Sequence, residues 1–190
     1  MDGAAKRWIG AQELYEDSLR LALAVLDSGF APTLLLGLWR GGSPVAITVH
    51  ETLAYFGAQA EHLPLRTSLY TGIDARAPRI RIHGIEALAV AGFDCRRVLI
   101  VDDVFDTGVT LEQTLDALRA VPATHASEIR IATVWWKPGR NRTGITPHYW
   151  LHRTEQWLVF PHELCGLEAA EILREKPGAS VLAPRLQPAC

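Results

Sequence analysis

The most constraining feature of the chain is an apolar run, Arg97 to Val101 (RVLIV), that leads straight into an acidic segment. The run does not alternate between apolar and polar residues, which predicts a β-strand that is buried on both faces. Residues 109–120 follow with the spacing of a helix. Because strands of this kind occur in sheets that are covered by helices on both sides, the chain is expected to fold around a parallel sheet.

Further strands and helices alternate along the rest of the chain. Helices are predicted over 11–29, 43–56, 109–120 and 163–174, and strands over 33–38, 59–65, 97–101, 128–136, 149–151 and 157–160. Ser43 and Pro44 supply the cap and first turn of the second helix. Residues 66–84 show no sustained period, which predicts a long loop or a ragged hairpin. The order predicts an α/β fold with a doubly wound, mainly parallel sheet that is flanked by helices.

The segment after the buried strand, DDVFDTGVT, carries three carboxylates and two hydroxyls. In an open parallel sheet, ligands bind beyond the carboxyl ends of the strands. The backbone N–H groups of residues 107–110 would lie at a helix N-terminus, which favours a phosphate, and Gly108 permits the turn. Asp102 and Asp103 would repel a bare anion, so we expect them to hold sugar hydroxyls, Mg²⁺ or both. Asp106 is placed to exchange a proton.

The alternative interpretation of this segment is an acidic turn that only complements the helix dipole. A single Asp is open to that interpretation, whereas the whole run between a buried strand and a helix favours a phosphate and sugar site. Two other kinds of phosphate site need spacings that the chain lacks. A P-loop requires GxxxxGK[ST], and an aspartyl-phosphate phosphatase requires DxD, but two residues separate Asp103 from Asp106.

The segment VLIVDDVFDTGVT resembles the phosphoribosyl pyrophosphate motif of the type I phosphoribosyltransferases, which is a hydrophobic strand, two acidic residues and then D-T-G-x-T. The resemblance implies that Asp102 and Asp103 hold the ribose hydroxyls together with Mg²⁺. It implies that Asp106 lies near purine N7, as general acid or base or as a hydrogen-bond acceptor. The residues implied to receive the 5-phosphate are Thr107, Gly108, Val109 and Thr110. The implied fold is that family's sheet with a small hood from terminal segments.

Residues 37–42 (GLWRGG) follow the first predicted strand, where this family has its pyrophosphate loop. Arg40 offers a fork of donors that would steady the leaving pyrophosphate, and glycines such as Gly41 let the backbone approach it closely. By the resemblance we expect a non-proline cis peptide at Trp39-Arg40. The alternative is a glycine-rich turn with a solvated Arg40.

Residues 66–84 stand where the family has its flexible catalytic loop. Ser68 and Tyr70 resemble the Ser-x-Tyr that is found there in purine enzymes. Closing such a loop would exclude water from the reacting ribosyl centre. The alternative interpretation of residues 66–84 is a disordered surface loop.

Two later segments, WWKP at 135–138 and WLVFPHE at 157–163, resemble the base-binding parts of xanthine-guanine and hypoxanthine phosphoribosyltransferases. By that match Lys137 donates to the oxygen at purine C6, Trp157 stacks on the base, and the backbone of Leu158 meets the base edge. A cation at C6 selects oxo over amino purines. Glu163 matches an acidic position that helps to hold a second Mg²⁺. The alternatives are a surface lysine, a core tryptophan and a helix-capping glutamate.

The resemblance implies transfer of ribose 5-phosphate from phosphoribosyl pyrophosphate to N9 of hypoxanthine, guanine or xanthine. One alternative is a phosphoribosyltransferase for another base. Another is a regulator that binds phosphoribosyl pyrophosphate without turnover, although such regulators tend to carry a DNA-binding domain or a basic face. The family also implies self-association, as a homodimer or homotetramer.

Composition adds limits on partners and location. The net charge is −2, which argues against a general affinity for nucleic acid. The three cysteines show no CxxC spacing, so a disulfide framework is not indicated and a cytoplasmic location fits best. No apolar stretch suits a signal peptide or a membrane span, so no membrane partner is expected. We predict one domain over 1–176, with a core of about 30–136, a base-binding hood of about 137–165 plus the N-terminal helix, and a flexible tail at 177–190.

Overall fold

The computed structural model describes residues 6–70, 79–90, 92–121 and 128–186. The strands are β1 (Lys6–Trp8), β2 (Leu34–Trp39), β3 (Glu61–Tyr70), β4 (Arg79–His83), β5 (Arg97–Phe105), β6 (Glu128–Trp136), β7 (Tyr149–Arg153) and β8 (Trp157–Val159). The helices are α1 (Ala11–Asp27), α2 (Gly42–Tyr55), α3 (Ala87–Val90), α4 (Val109–Ala120) and α5 (Ala169–Glu175). Short 3₁₀ helices cover Pro138–Arg140 and Ala179–Arg185. No helix in these ranges is long and apolar enough to cross a membrane.

A six-stranded sheet in the order β4-β3-β2-β5-β6-β7 forms the centre of the fold. Its neighbouring strands are parallel except for β3 and β4, which pair antiparallel. Leu36 and Ile100 belong to a core cluster that includes the buried leucines of α4. Because side chains alternate along a strand, Gly37 faces the other side, where a Cβ would lie 2.7 Å from Cβ of Ala46 in α2. Helices therefore cover both faces, and the predicted α/β fold is confirmed.

The chain divides into two compact units, which we call the central unit (residues 15–155) and the terminal unit (residues 1–14 and 156–190). The central unit contains the six-stranded sheet. The terminal unit pairs β1 with β8 in parallel, so it is built from both ends of the chain. The predicted domain extents stay predictions, as does the flexibility of the tail, where Ala179–Arg185 forms a 3₁₀ helix.

Two strands are longer than the sequence predicts. β3 continues to Tyr70 instead of ending at Leu65, because it forms a hairpin with β4 through residues predicted as a loop or ragged hairpin. β5 continues to Phe105 instead of ending at Val101, because β6 pairs with it as far as Phe105 and Trp136. Asp102 and Asp103 therefore belong to the strand and not to the turn after it.

Two helices begin at other residues than predicted. α2 begins at Gly42 after Gly41, with no side-chain cap, so Ser43 does not cap it. α5 covers only Ala169–Glu175, because a capping box between Glu168 and Glu171 sets its start. The residues before it were predicted as helix and are not helical.

Candidate active site

A cleft of about 290 Å³, partly open to solvent, lies where β5 ends and α4 begins. It is the site that the acidic segment predicts, since carboxylates, hydroxyls and backbone N–H groups converge there. Its lining residues are Asp102, Val104, Asp106, Thr107, Gly108, Thr110 and Leu111.

The turn into α4 depends on Gly108. Its φ of +79° is in the left-handed region that favours glycine. A Cβ there would lie 2.5 Å from Oγ1 of Thr143 and 2.8 Å from Cζ of Phe105. Since α4 begins at Val109, the N–H groups of its first turn have no acceptor within the helix and suit an anion.

The loop after β2 packs directly on the acidic end of β5. A Cβ at Gly41 would lie 2.0 Å from Oδ2 of Asp103, and one at Gly42 would lie 2.6 Å from the Val101 carbonyl oxygen. Only glycines allow so close an approach. The peptide bond between Trp39 and Arg40 is cis, which confirms the expectation from the resemblance.

Asp102 and Asp103 form a close pair of carboxylates. The backbone N–H of Asp103 donates to Oδ1 of Asp102 at 3.0 Å. Burial, and then the charge of Asp103, raise the pKa of Asp102 well above its usual range. Two carboxylates in such a place favour a cation or hydroxyl donors between them. No cluster of three or more His, Cys, Asp or Glu side chains suited to a metal occurs in the described ranges.

Asp106 lies beside two cations. Lys137 Nζ is 3.6 Å from its Oδ2, and Arg140 Nε is 2.8 Å from its Oδ1. The β5–β6 pairing brings Asp106 and Lys137 together, because Phe105 is level with Trp136 and its carbonyl oxygen accepts the Lys137 N–H at 2.9 Å. Lys137 is only 4% exposed, so the alternative of a surface lysine is wrong.

Sequence reasoning missed the turn that follows Lys137. Arg140 pairs with Asp106, the backbone N–H of Arg142 donates to the Thr107 carbonyl oxygen at 2.9 Å, and Thr143 lies against Gly108. The signal in the sequence was the segment KPGRNR, with three basic residues, directly after a predicted strand.

Arg40 and Ser68 are the residues predicted for the pyrophosphate loop and for the flexible loop. The Arg40 side chain is exposed at the loop after β2. Ser68 is half-buried in β3, and its Oγ lies 3.4 Å from Nε2 of His83 in β4. Tyr70 ends β3, but its side chain lies outside the described residues.

The other predicted base-binding residues belong to the terminal unit. Trp157 is 56% exposed, so the alternative of a core tryptophan is wrong, whereas Leu158 beside it is buried. Oε2 of Glu163 accepts the N–H of Phe160 at 3.0 Å. Because α5 begins at Ala169 and is capped by Glu168, the alternative of a helix-capping Glu163 is wrong.

Residues 10–163 match the family described as phosphoribosyl transferase domain. The chain belongs to the phosphoribosyltransferase family. This membership confirms the resemblance that rests on the DDVFDTGVT segment.

Solved structures and a curated relative agree with the family. A purine phosphoribosyltransferase from Pyrococcus horikoshii Ot3 is 28% identical, with a TM-score of 0.65 over 85% of this chain and 96% of that one. A xanthine-guanine-hypoxanthine phosphoribosyltransferase from Helicobacter pylori shares the fold, at 19% identity and a TM-score of 0.62 over 82% of this chain and 92% of that one. The "Bifunctional protein PyrR" of Corynebacterium diphtheriae is 33% identical over 94 residues, and the match spans about half the length of each chain.

Proposed function

We propose that the protein is a purine-salvage enzyme that transfers ribose 5-phosphate from phosphoribosyl pyrophosphate to N9 of hypoxanthine, guanine or xanthine. The observation that carries the proposal is the pair formed by Asp106 and the buried Lys137 at the ends of β5 and β6. The 28% identity to a purine phosphoribosyltransferase over most of both chains supports it.

The pair suits a 6-oxopurine because it offers one acceptor and one donor. Lys137 Nζ would donate to the oxygen at C6, and an amino group there would leave the ammonium facing another donor. The carboxylate of Asp106 would accept a hydrogen bond from N7–H, or take that proton as general base. In the terminal unit the ring of Trp157 is exposed and Leu158 is buried. By the resemblance alone, Trp157 is the proposed stacking residue and the backbone of Leu158 is the proposed contact for the base edge.

The cleft suits the phosphoribosyl group. The 5-phosphate would rest on Thr107, Gly108, Val109 and Thr110 at the start of α4. The carboxylates of Asp102 and Asp103 would accept hydrogen bonds from the ribose hydroxyls. As N9 of the base bonds to C1 of the ribose, the bond from C1 to the pyrophosphate oxygen breaks, and Arg40 would steady the departing anion.

Two adjacent carboxylates also suit Mg²⁺, which binds proteins through one or two carboxylates and completes its shell with phosphates and water. Asp102 and Asp103 are therefore the proposed ligands, with Glu163 proposed for a second ion. Bound Mg²⁺ neutralises the charge of the pyrophosphate leaving group. The hairpin with Ser68 and Tyr70 is proposed to close over the reaction, and the chain to self-associate as a homodimer or homotetramer.

A second candidate function uses the same phosphoribosyl pyrophosphate site, but for another base or for regulation without turnover. The 33% identity to a "Bifunctional protein PyrR" over half the chain favours it. In that case the protein uses another base, or binds phosphoribosyl pyrophosphate as a regulator without turnover.

The test is nucleotide formation from phosphoribosyl pyrophosphate and Mg²⁺ with hypoxanthine, guanine, xanthine, adenine, uracil and orotate. We expect at least one 6-oxopurine to react and adenine not to. Asp106→Asn should lower kcat/KM by about 100-fold or more, as expected for loss of a general acid or base. Asp116→Asn is the matched control, because Asp116 pairs with Arg119 on the exposed side of α4.

Two outcomes decide against this proposal. Turnover of uracil or orotate in place of the 6-oxopurines shows that Lys137 does not select a C6 oxygen of a purine. Binding of phosphoribosyl pyrophosphate with no turnover of any base favours the regulator.

A further inference from the structure

The carboxylate of Asp106 has two cationic neighbours, and they differ in how close they are. Arg140 Nε lies 2.8 Å from Oδ1, whereas Lys137 Nζ lies 3.6 Å from Oδ2, beyond the length of a normal hydrogen bond. Oδ1 is buried and accepts no aligned hydrogen bond within the described ranges, so the contact with Arg140 is an ion pair. Arg140 is therefore the main counter-ion of Asp106.

The two cations also differ in burial. The side chain of Lys137 is 5% exposed and that of Arg140 is 42% exposed. A buried ammonium without a hydrogen-bond acceptor is costly, so Lys137 needs either the carboxylate or an oxygen atom of a ligand. An arginine that neutralises Asp106 from the solvent side leaves the buried lysine with capacity to donate to a ligand.

The backbone around Arg140 is held in place. The Arg140 N–H donates to the Lys137 carbonyl oxygen at 3.1 Å, and the N–H of Gly139 donates to Oε1 of Glu155 at 2.8 Å. On the other side, the N–H of Arg142 donates to the Thr107 carbonyl oxygen. The turn is thus bonded both to the strand end that carries Lys137 and to the loop that carries Asp106.

We propose that Arg140 is a positioning residue for base selection: it holds the carboxylate of Asp106, so that the ammonium of Lys137 is free to donate to the substrate oxygen at C6. The inference rests on the proposed function, because it assigns the C6 oxygen to Lys137. Without Arg140, the ammonium of Lys137 would be drawn into the ion pair with Asp106, and the substrate oxygen would have to compete for it.

The kinetic test compares Arg140→Gln with the conservative Arg140→Lys. For Arg140→Gln we expect the KM for the 6-oxopurine to rise about tenfold, the loss of roughly one charge-assisted hydrogen bond, while the KM for phosphoribosyl pyrophosphate changes less than about twofold. Arg140→Lys should restore most of the base KM. Arg119→Gln, which removes an arginine–aspartate pair from the exposed side of α4, should leave both constants near those of the parent.

A second readout separates positioning from a general structural effect. The ratio of kcat/KM for hypoxanthine to that for unsubstituted purine, which lacks the C6 oxygen, does not depend on the fraction of folded enzyme. The ratio should fall about tenfold in Arg140→Gln, because the C6 oxygen then competes with Asp106 for the hydrogen bond from Lys137. An unchanged ratio, or a KM for phosphoribosyl pyrophosphate that rises as much as the base KM, overturns the inference.

A third measurement does not need turnover. The urea midpoints of the parent, Asp106→Asn, Arg140→Gln and the double variant form a cycle that reports the ion pair in the free protein. Additive shifts of the midpoint overturn the inference, and non-additive shifts support it. If the parent converts no 6-oxopurine, the proposed function is wrong, and this cycle alone decides whether Arg140 holds Asp106.

Discussion

Single residues set the shape of the cleft, and glycines do so by leaving space. The Cβ positions of Gly41 and Gly108 are occupied by neighbouring atoms at 2.0 Å and 2.5 Å. The first lets the loop after β2 contact Asp103, and the second lets the turn before α4 contact Thr143. The cleft that is proposed to bind a phosphate and a sugar is thereby bordered by backbone, which offers N–H groups at short range.

Replacing Gly108 with Ala should destabilise the protein. The left-handed conformation alone costs a non-glycine residue about 1–2 kcal/mol, and the overlap with Thr143 and Phe105 adds to it. Gly57→Ala is the control, because Gly57 has a φ of +91° but no atom within 4 Å of its Cβ position. The measurement is the free energy of unfolding in urea. Equal losses in the two variants would mean that crowding at Gly108 contributes nothing.

At the scale of elements, Asp106 and Lys137 come together because the neighbouring strands β5 and β6 end at the same edge of the sheet. The β5–β6 ladder continues to Phe105 and Trp136, which brings Asp106 level with Lys137.

Histidines lie at two other junctions of this sheet. His62 of β3 faces His50 of α2, with ring centroids 5.2 Å apart, and Nδ1 of His148 accepts the N–H of Ile131 in β6 at 3.1 Å.

His62 and His148 should make the free energy of unfolding depend on pH. Desolvation, with the charge of His50, lowers the pKa of His62, and desolvation, with the charge of Arg130, lowers the pKa of His148. Both neutral forms are therefore favoured by folding. Their contribution is present above the unfolded pKa of about 6.5 and is lost as the pH falls through the lowered folded pKa.

The measurement is the urea midpoint between about pH 7.5 and pH 5.5, a range that spans the ordinary histidine pKa. We expect it to fall with pH in the parent protein. His62→Gln and His148→Asn should each flatten the profile, and Asn keeps an acceptor for the Ile131 N–H. A profile that is equally steep in the double variant contradicts the assignment.

At the scale of the whole molecule, the two ends of the chain meet in the terminal unit. β1 pairs with β8, and Lys6 forms an ion pair with Glu171 of α5. After α5, Nζ of Lys176 donates to the carbonyl oxygen of Phe160 at 2.6 Å, and both residues are buried. The segment that follows Trp157 is thus held by residues from each terminus.

Lys176→Met should destabilise the protein more than Lys6→Met. The two ammonium groups lie at similar distances from the Trp8 ring, 5.6 Å and 5.8 Å, so loss of that contact is matched. Only Lys176→Met removes a charge-assisted hydrogen bond to a buried carbonyl oxygen, which then keeps only the Glu163 N–H at 3.0 Å. A hydrogen bond to a charged group contributes about 1.5–3 kcal/mol. The comparison is made by urea unfolding. If Lys6→Met loses as much, the bond to Phe160 is not the source of the effect.

Several features of the site could be predicted because they are local in the sequence. An unbroken apolar run followed by DDVFDTGVT predicted β5, the acidic end and the start of α4. The cis peptide between Trp39 and Arg40 followed from the family motif. Burial was not predictable in the same way. Lys137 and Trp157 each had a plausible alternative, and only the elements packed around them decide that the first is buried and the second exposed.

The sequence by itself determined the family, the alternation of strands and helices from β5 to β6, and the polar side chains that line the cleft. The tertiary structure alone decided that the segment predicted as a long loop or a ragged hairpin pairs as β3 and β4. It also decided that Arg140 is the close partner of Asp106 and that both termini share one unit. The physical reason is that periodicity and turn chemistry act over a few residues. Strand register and ion pairing instead join residues whose separation along the chain carries no signal.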